Sequence, residues 1–113
     1  MNTKELEFNF SGIGEVKGFE FTQIDKTVLA YAYEVNDNEG NMHFEVFKRK
    51  LTALCIDFEK KQYSETDFKV KYPRSNDFGI WAWTFTSKFK ALLKLKEISI
   101  EETDANVRIL NNN

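Results

Sequence analysis

Val28-Leu29-Ala30-Tyr31-Ala32-Tyr33-Glu34-Val35, then Asn36-Asp37-Asn38-Glu39-Gly40-Asn41, then Met42-His43-Phe44-Glu45-Val46-Phe47-Lys48-Arg49 is the stretch from which the fold can be read. Both flanks alternate with the period of a pleated strand, which sends successive side chains to opposite faces. Leu29, Tyr31, Tyr33 and Val35 share one face of the first flank, and Val28, Ala30, Ala32 and Glu34 share the other. The small residues on that second face leave room for another element. Between the flanks, asparagine, aspartate and glycine tolerate the left-handed backbone of a hairpin loop, so residues 28–49 are predicted as a β-hairpin.

The same period extends outward. Leu6, Phe8 and Phe10 line one face of a short strand, Ser11-Gly12-Ile13-Gly14 breaks it, and Val16 to Ile24 resumes, closed by a turn at Asp25-Lys26-Thr27. Downstream, residues 51–62 fit a helical stripe (Leu51, Leu54, Cys55, Phe58) as well as a strand, and the neighbouring strands favour the strand. Phe68, Val70 and Tyr72 alternate until Pro73, which has no N–H to continue a ladder. Gly79 to Phe85 is an aromatic segment that leads into a helix. Thr84, Thr86 or Ser87 can cap that helix, and Phe89, Leu92, Leu93 and the run from Leu95 to Ile98 supply its apolar stripe.

The predicted fold is therefore α+β: a mostly antiparallel meander sheet of five to six strands with one C-terminal helix packed on one face. Residues 1–100 form a single domain. Residues 101–113 read as a polar tail with a short edge strand at 107–110.

The chain has 113 residues, 42% hydrophobic and 30% charged, including eleven phenylalanines and a single proline. Such a composition supports one core and is too apolar for disorder. Cys55 is the only cysteine, so packing rather than disulfides must hold the fold, and it reads as a small, buried or half-buried apolar residue. No apolar run reaches a membrane span, and the start lacks the apolar stretch of a signal peptide. The expected location is cytoplasmic, without membrane attachment.

The net charge of −2 is unevenly distributed. Residues 1–47 carry three lysines against nine acids, residues 48–96 twelve bases against five acids, and the remainder is acidic again. Oppositely charged strands lying side by side would account for this, as would an acidic and a basic face.

Catalytic chemistry finds little material. His43 is the only histidine and sits in mid-strand, and a pairing with Cys55 would lack the third, orienting group of a nucleophilic triad. Asp57 and Glu59 share a strand face, as carboxylates on any solvent-facing strand do. Gly12, Gly14 and Gly18 have the spacing G-x-G-x-x-x-G, but a strand follows them, and a phosphate loop needs a helix N-terminus. No catalytic, cofactor or metal residues are assigned.

Binding offers more. Trp81, Trp83 and Phe85 share parity and lie close in sequence to Lys69, Lys71 and Arg74, and aromatic rows beside cations are what single-stranded nucleic-acid binders use. The competing and preferred reading anchors both tryptophans beneath the helix. A second candidate surface combines Ala30, Ala32 and Glu34 with His43, Glu45 and Phe47 on the sheet face away from the helix.

Two motifs carry a resemblance. Tyr31-Ala32-Tyr33-Glu34-Val35, a polar turn and His43-Phe44-Glu45-Val46-Phe47 form the first; Tyr72-Pro73, a polar loop and Phe78-Gly79-Ile80-Trp81-Ala82-Trp83-Thr84-Phe85 form the second. Across residues 28–95 the chain resembles small uncharacterised proteins encoded by bacteriophages and bacterial mobile elements. The resemblance implies an α+β fold and a mobile-element origin, and it transfers no catalytic residue.

The expected function is that of a small non-enzymatic accessory protein that binds a macromolecule, in the first place another protein, without a cofactor. The alternatives are nucleic-acid binding through the basic segment 48–96 with Trp81 and Trp83, and a small enzyme using Cys55 or His43. An unprotected strand edge would also permit a homodimer.

Overall fold

The computed structural model describes residues 2–111, with side chains for residues 2–100. Its elements in chain order are β1 (Asn2–Lys4), β2 (Asn9–Ser11), β3 (Glu20–Lys26), β4 (Ala30–Asn36), β5 (Met42–Lys48), β6 (Leu51–Asp57), β7 (Gln62–Val70), β8 (Ala82–Phe85) and α1 (Lys88–Asn111). The class is α+β, as the alternation predicts. The strands, however, form two sheets rather than one: a five-stranded antiparallel sheet ordered β2-β3-β4-β5-β8, and a three-stranded sheet ordered β1-β7-β6 in which β1 runs parallel to β7.

The meander stops after β5 for a local reason. Only Arg49-Lys50 separates β5 from β6, and neither residue supplies the left-handed backbone that a two-residue hairpin needs. The chain steps across instead. The Arg49 N–H bonds the Leu29 carbonyl at 2.8 Å, and the Lys71 N–H bonds the Lys50 carbonyl at 2.9 Å, so the departing strand joins a second sheet. After the β6–β7 hairpin the chain returns as β8, antiparallel to β5.

The β4–β5 hairpin forms as predicted, with Asn36 opposite Met42 and Ala30 opposite Lys48. Asp37 clamps the loop: its Oδ1 accepts the N–H groups of Glu39 and Asn41, each at 2.9 Å, and Gly40 turns with a φ of 84°. Those bonds favour the charged form and hold the Asp37 carboxyl below its usual range, with Asn41 the main cause.

Residue 36 pairing with 42 sets a parity that corrects one expectation. Residues directly opposite share a face, so Ala30, Ala32 and Glu34 lie with Phe44 and Val46, while Tyr31, Tyr33 and Val35 lie with His43, Glu45 and Phe47. The predicted grouping of Ala30, Ala32 and Glu34 with His43, Glu45 and Phe47 mixes the two faces.

Each face builds its own core. The alanines of β4 make the shallow face, where Ala91, Leu95 and Ile98 of α1 seat against Ala30, Ala32, Phe44 and Val46. The spacing i, i+4, i+7 keeps that helical stripe on one side. Ser87 starts the helix: its Oγ accepts the Lys90 N–H at 3.3 Å and its carbonyl the Ala91 N–H at 3.1 Å. Phe89 and Leu93, assigned to the apolar stripe by sequence, face outward at 75% and 46% exposure. The opposite face is aromatic. Tyr31, Tyr33 and Phe47 stack along it, with Phe10 parallel to Phe21 at 4.6 Å between centroids and the Tyr72 edge against Phe21 and Phe47. Each fully buried ring contributes on the order of 2 kcal/mol by leaving water.

Two boundaries also differ from the sequence reading. Of the strand predicted on Leu6, Phe8 and Phe10 only the end forms, as β2; residues 5–8 connect it to β1 in the other sheet, and Phe8 is 60% exposed. At the other end, α1 runs on through Asn111, where a polar tail and an edge strand at 107–110 were expected. Glutamates, alanine and arginine are compatible with helix, and neither glycine nor proline interrupts residues 101–111.

Candidate functional site

The two sheets enclose a groove of about 680 Å³ on the aromatic side of the larger sheet. Its floor is apolar: Leu6 from the segment joining the sheets, Phe10 of β2, Val16, Val70 and Tyr72. Its wall is one face of the smaller sheet. There β1 lies parallel to β7 with Lys4 beside Lys69, Thr52 of β6 flanks Lys69 on the other side, and Cys55 faces Tyr63 beyond a bulge. Lys71 and Arg74 continue the same wall after β7, so four cations border one groove.

Those cations are not held in ion pairs: among the described residues none of Lys4, Lys69, Lys71 and Arg74 forms one. Two carboxylates line the groove, and Glu5 is committed elsewhere. It receives Arg49 Nε at 3.0 Å and Nη2 at 2.5 Å, Lys26 Nζ at 3.1 Å, and the Tyr31 hydroxyl. The Arg49 hydrogen bonds are the main reason its carboxyl drops from 4.5 to about 2. Burial first, and then Glu5, push the Tyr31 hydroxyl up to about 12. Glu7 accepts the Tyr33 hydroxyl at 2.7 Å, through its backbone carbonyl.

Beneath the groove lies a polar network. Glu45, 6% exposed, accepts the Tyr72 hydroxyl with one oxygen and meets His43 Nε2 at 2.8 Å with the other. Burial above all, then the Glu45 charge, raises the Tyr72 hydroxyl pKa far above its ordinary range. The His43 ring sets its edge to Phe19. Glu45 thus ties β5 to the segment that turns at Pro73, and the arrangement fixes the groove floor in place.

The structure brings Lys69, Lys71 and Arg74 together on the groove, keeps His43, Glu45 and Phe47 on one sheet face with His43 bonded to Glu45, and sets Glu34 and Trp83 on the other. Phe47 is fully buried and Glu45 nearly so; Glu34 is half-buried on the helix side. Trp81, 7% exposed, packs in the aromatic cluster, whereas Trp83 and Phe85 pack on the helix side. The expected common direction of these three rings fails because Trp81 precedes β8. It lies in the turn that Gly79 opens with a φ of 93°, where strand parity does not apply. Lys50 and Lys71 each place Nζ 5.5 Å from the Trp81 ring centroid, and Lys94 lies 4.2 Å from that of Trp83. Cys55 and His43 sit on different sheets.

Lys4 and the apolar floor escaped the sequence reading. Asn2-Thr3-Lys4 has no periodicity to announce a strand, and only its parallel pairing with β7 carries the lysine to the groove. Among the described residues no group of three His, Cys, Asp or Glu side chains could hold a metal, and no helix is long and apolar enough to cross a membrane. No protein-family model, curated protein or solved structure matches the chain.

Proposed function

We propose that this chain is a non-enzymatic accessory module that binds another protein through the groove between its sheets. The single observation behind this reading is the groove itself: an apolar floor bordered by cations that have no ion-pair partner among the described residues. Apolar area gives a partner segment affinity, and the cations select its charge. The resemblance over residues 28–95 supports a bacteriophage or mobile-element setting for that role.

Cys55 makes the test direct, because it is exposed, is the only cysteine, and lines the groove. Affinity capture from lysate of the native host, after nuclease treatment, should recover a stoichiometric protein that is lost when a bulky maleimide occupies Cys55. A partner retained by the labelled protein would place the interaction elsewhere, and the absence of any nuclease-resistant partner would overturn the reading.

Nucleic-acid binding is the second reading, favoured by the same cations together with Phe58 and Tyr63, which are 85% and 55% exposed at the end of the β6–β7 hairpin. Material that disappears with nuclease would support it.

A further inference from the structure

We infer that the groove receives an extended acidic peptide segment, with apolar side chains on its floor and carboxylates against Lys4, Lys69, Lys71 and Arg74; this rests on the protein-binding reading above. The first argument is electrostatic. Lys4 and Lys69 are register partners on adjacent parallel strands, both exposed and on one face. Like charges so placed repel, and neither lysine is in an ion pair among the described residues, although Asp67 lies one rung away on the same face, held by Asn2 Nδ2 at 3.0 Å. An anion laid across both relieves that repulsion, so the bound state gains what the free state lacks.

The second argument concerns shape. Lys69 and Lys71 occupy alternate positions along one strand direction, a separation of about 7 Å at the rise of a β-strand. Alternate side chains of an extended peptide repeat at the same distance. Carboxylates at every second position can therefore meet successive cations, while the intervening side chains turn to Leu6 and Val16.

The third argument separates a peptide from a nucleic acid. Stacking of bases requires free ring faces beside the cations. On the floor, Phe10 spends one face on Phe21 and meets Tyr33 and Tyr72 edge to face; Trp81, outside the groove lining, is buried beneath the ammonium groups of Lys50 and Lys71. The aliphatic Leu6, Val16 and Val70 make up the rest of the floor with Tyr72, whose edge meets Phe21 and Phe47. Such a floor accepts leucine or valine and offers a base no free ring face; the exposed rings of Phe58 and Tyr63, which also line the groove, are what the oligothymidine arm below tests.

The test uses a fluorescein-labelled decapeptide of alternating glutamate and leucine, a lysine–leucine decapeptide, and a labelled oligothymidine, each followed by anisotropy on the full chain. The acidic peptide should bind, the basic one should not, and the affinity should fall about tenfold in the double variant Lys4→Glu, Lys69→Glu and decline with added salt. A far-ultraviolet melt of the double variant confirms that it is folded, and the double variant Lys88→Glu, Lys90→Glu on the helix serves as a charge-matched control that should leave binding unchanged. No binding of the acidic peptide, or equal binding by the double variant, would overturn the inference. Tighter binding of oligothymidine with the same lysine dependence would overturn it in favour of nucleic acid. The two levels remain separable. A captured protein partner that is displaced by the Cys55 maleimide, yet indifferent to Lys4→Glu and Lys69→Glu, would leave the groove as a protein site and remove only its acidic specificity.

Discussion

Arg49 reaches back 44 residues to Glu5 and bonds both carboxylate oxygens, from Nε at 3.0 Å and from Nη2 at 2.5 Å. This fork joins the segment between β1 and β2 to the point where the chain leaves β5 for β6. Both are crossings between the two sheets, so one ion pair holds the sheets in register at the end of the groove. A planar guanidinium suits that task because it bonds a carboxylate bidentately.

The Glu5 carboxyl is held at about 2 rather than 4.5, chiefly by Arg49. A depressed folded-state pKa stabilises the fold above the unfolded value, and the contribution disappears as pH falls from about 4.5 towards 2. Urea unfolding across this window should show stability declining with acid, and Glu5→Gln should remove part of that slope. At neutral pH the same variant should cost roughly 1 kcal/mol, since the pair is partly solvent-screened. An unchanged acid slope in Glu5→Gln would refute the assignment.

Tyr72→Phe should be more expensive than its single lost hydroxyl suggests. It strips one donor from the buried Glu45 carboxylate and leaves His43 as the remaining side-chain partner. An under-satisfied buried group of this kind costs about 1–3 kcal/mol. Removing the carboxylate as well, in Glu45→Gln with Tyr72→Phe, should recover part of the loss. A double-mutant cycle by chemical denaturation measures the coupling, and strictly additive losses would show that the two groups act independently.

How far the sequence carried the fold depends on the range of the interactions involved. The β4–β5 hairpin was legible because its determinants are local: alternation on both flanks and Asp37-Asn38-Glu39-Gly40 between them. The shallow alanine face was legible too, since Ala30 and Ala32 announce that something packs there, and α1 does. The division into two sheets was not legible. It depends on Asn2–Lys4 pairing parallel with Asp67–Lys69, a contact spanning most of the chain with no periodicity of its own. Three of the groove's cations, Lys69, Lys71 and Arg74, could be named from their crowding in sequence, but the fourth and the apolar floor come through that long-range pairing. Faces were misassigned for different reasons. Parity across the five-residue connection placed Glu34 and Glu45 on different faces of the sheet, and the Gly79 turn sent Trp81 to the other side from Trp83.

The tryptophans should report this burial. Trp81 lies in the aromatic core, and Trp83 is half-covered by α1 and Lys94. Emission should be blue-shifted and poorly quenched by acrylamide, and Trp81→Phe should lose the more protected component. Trp81→Ala should destabilise the fold by roughly 3–5 kcal/mol, the usual cost of emptying a large aromatic site. Red-shifted, freely quenched emission would show an open aromatic row instead.

Two substitutions on α1 test which of its apolar residues hold the helix to the sheet. Leu95 is 2% exposed between Ala91 and Ile98, against β4 and β5, whereas Phe89 is 75% exposed. Leu95→Ala leaves a cavity at the centre of that contact and should cost about 2–5 kcal/mol. Phe89→Ala, although it removes a larger side chain, should stay within about 0.5 kcal/mol of the parent, because the ring is already in water. Helix propensity does not separate the pair, since alanine replaces both residues and favours helix. Denaturant midpoints of the two variants therefore compare burial alone. Equal losses would mean that Phe89 packs against the fold and that the helix is rotated from the orientation described.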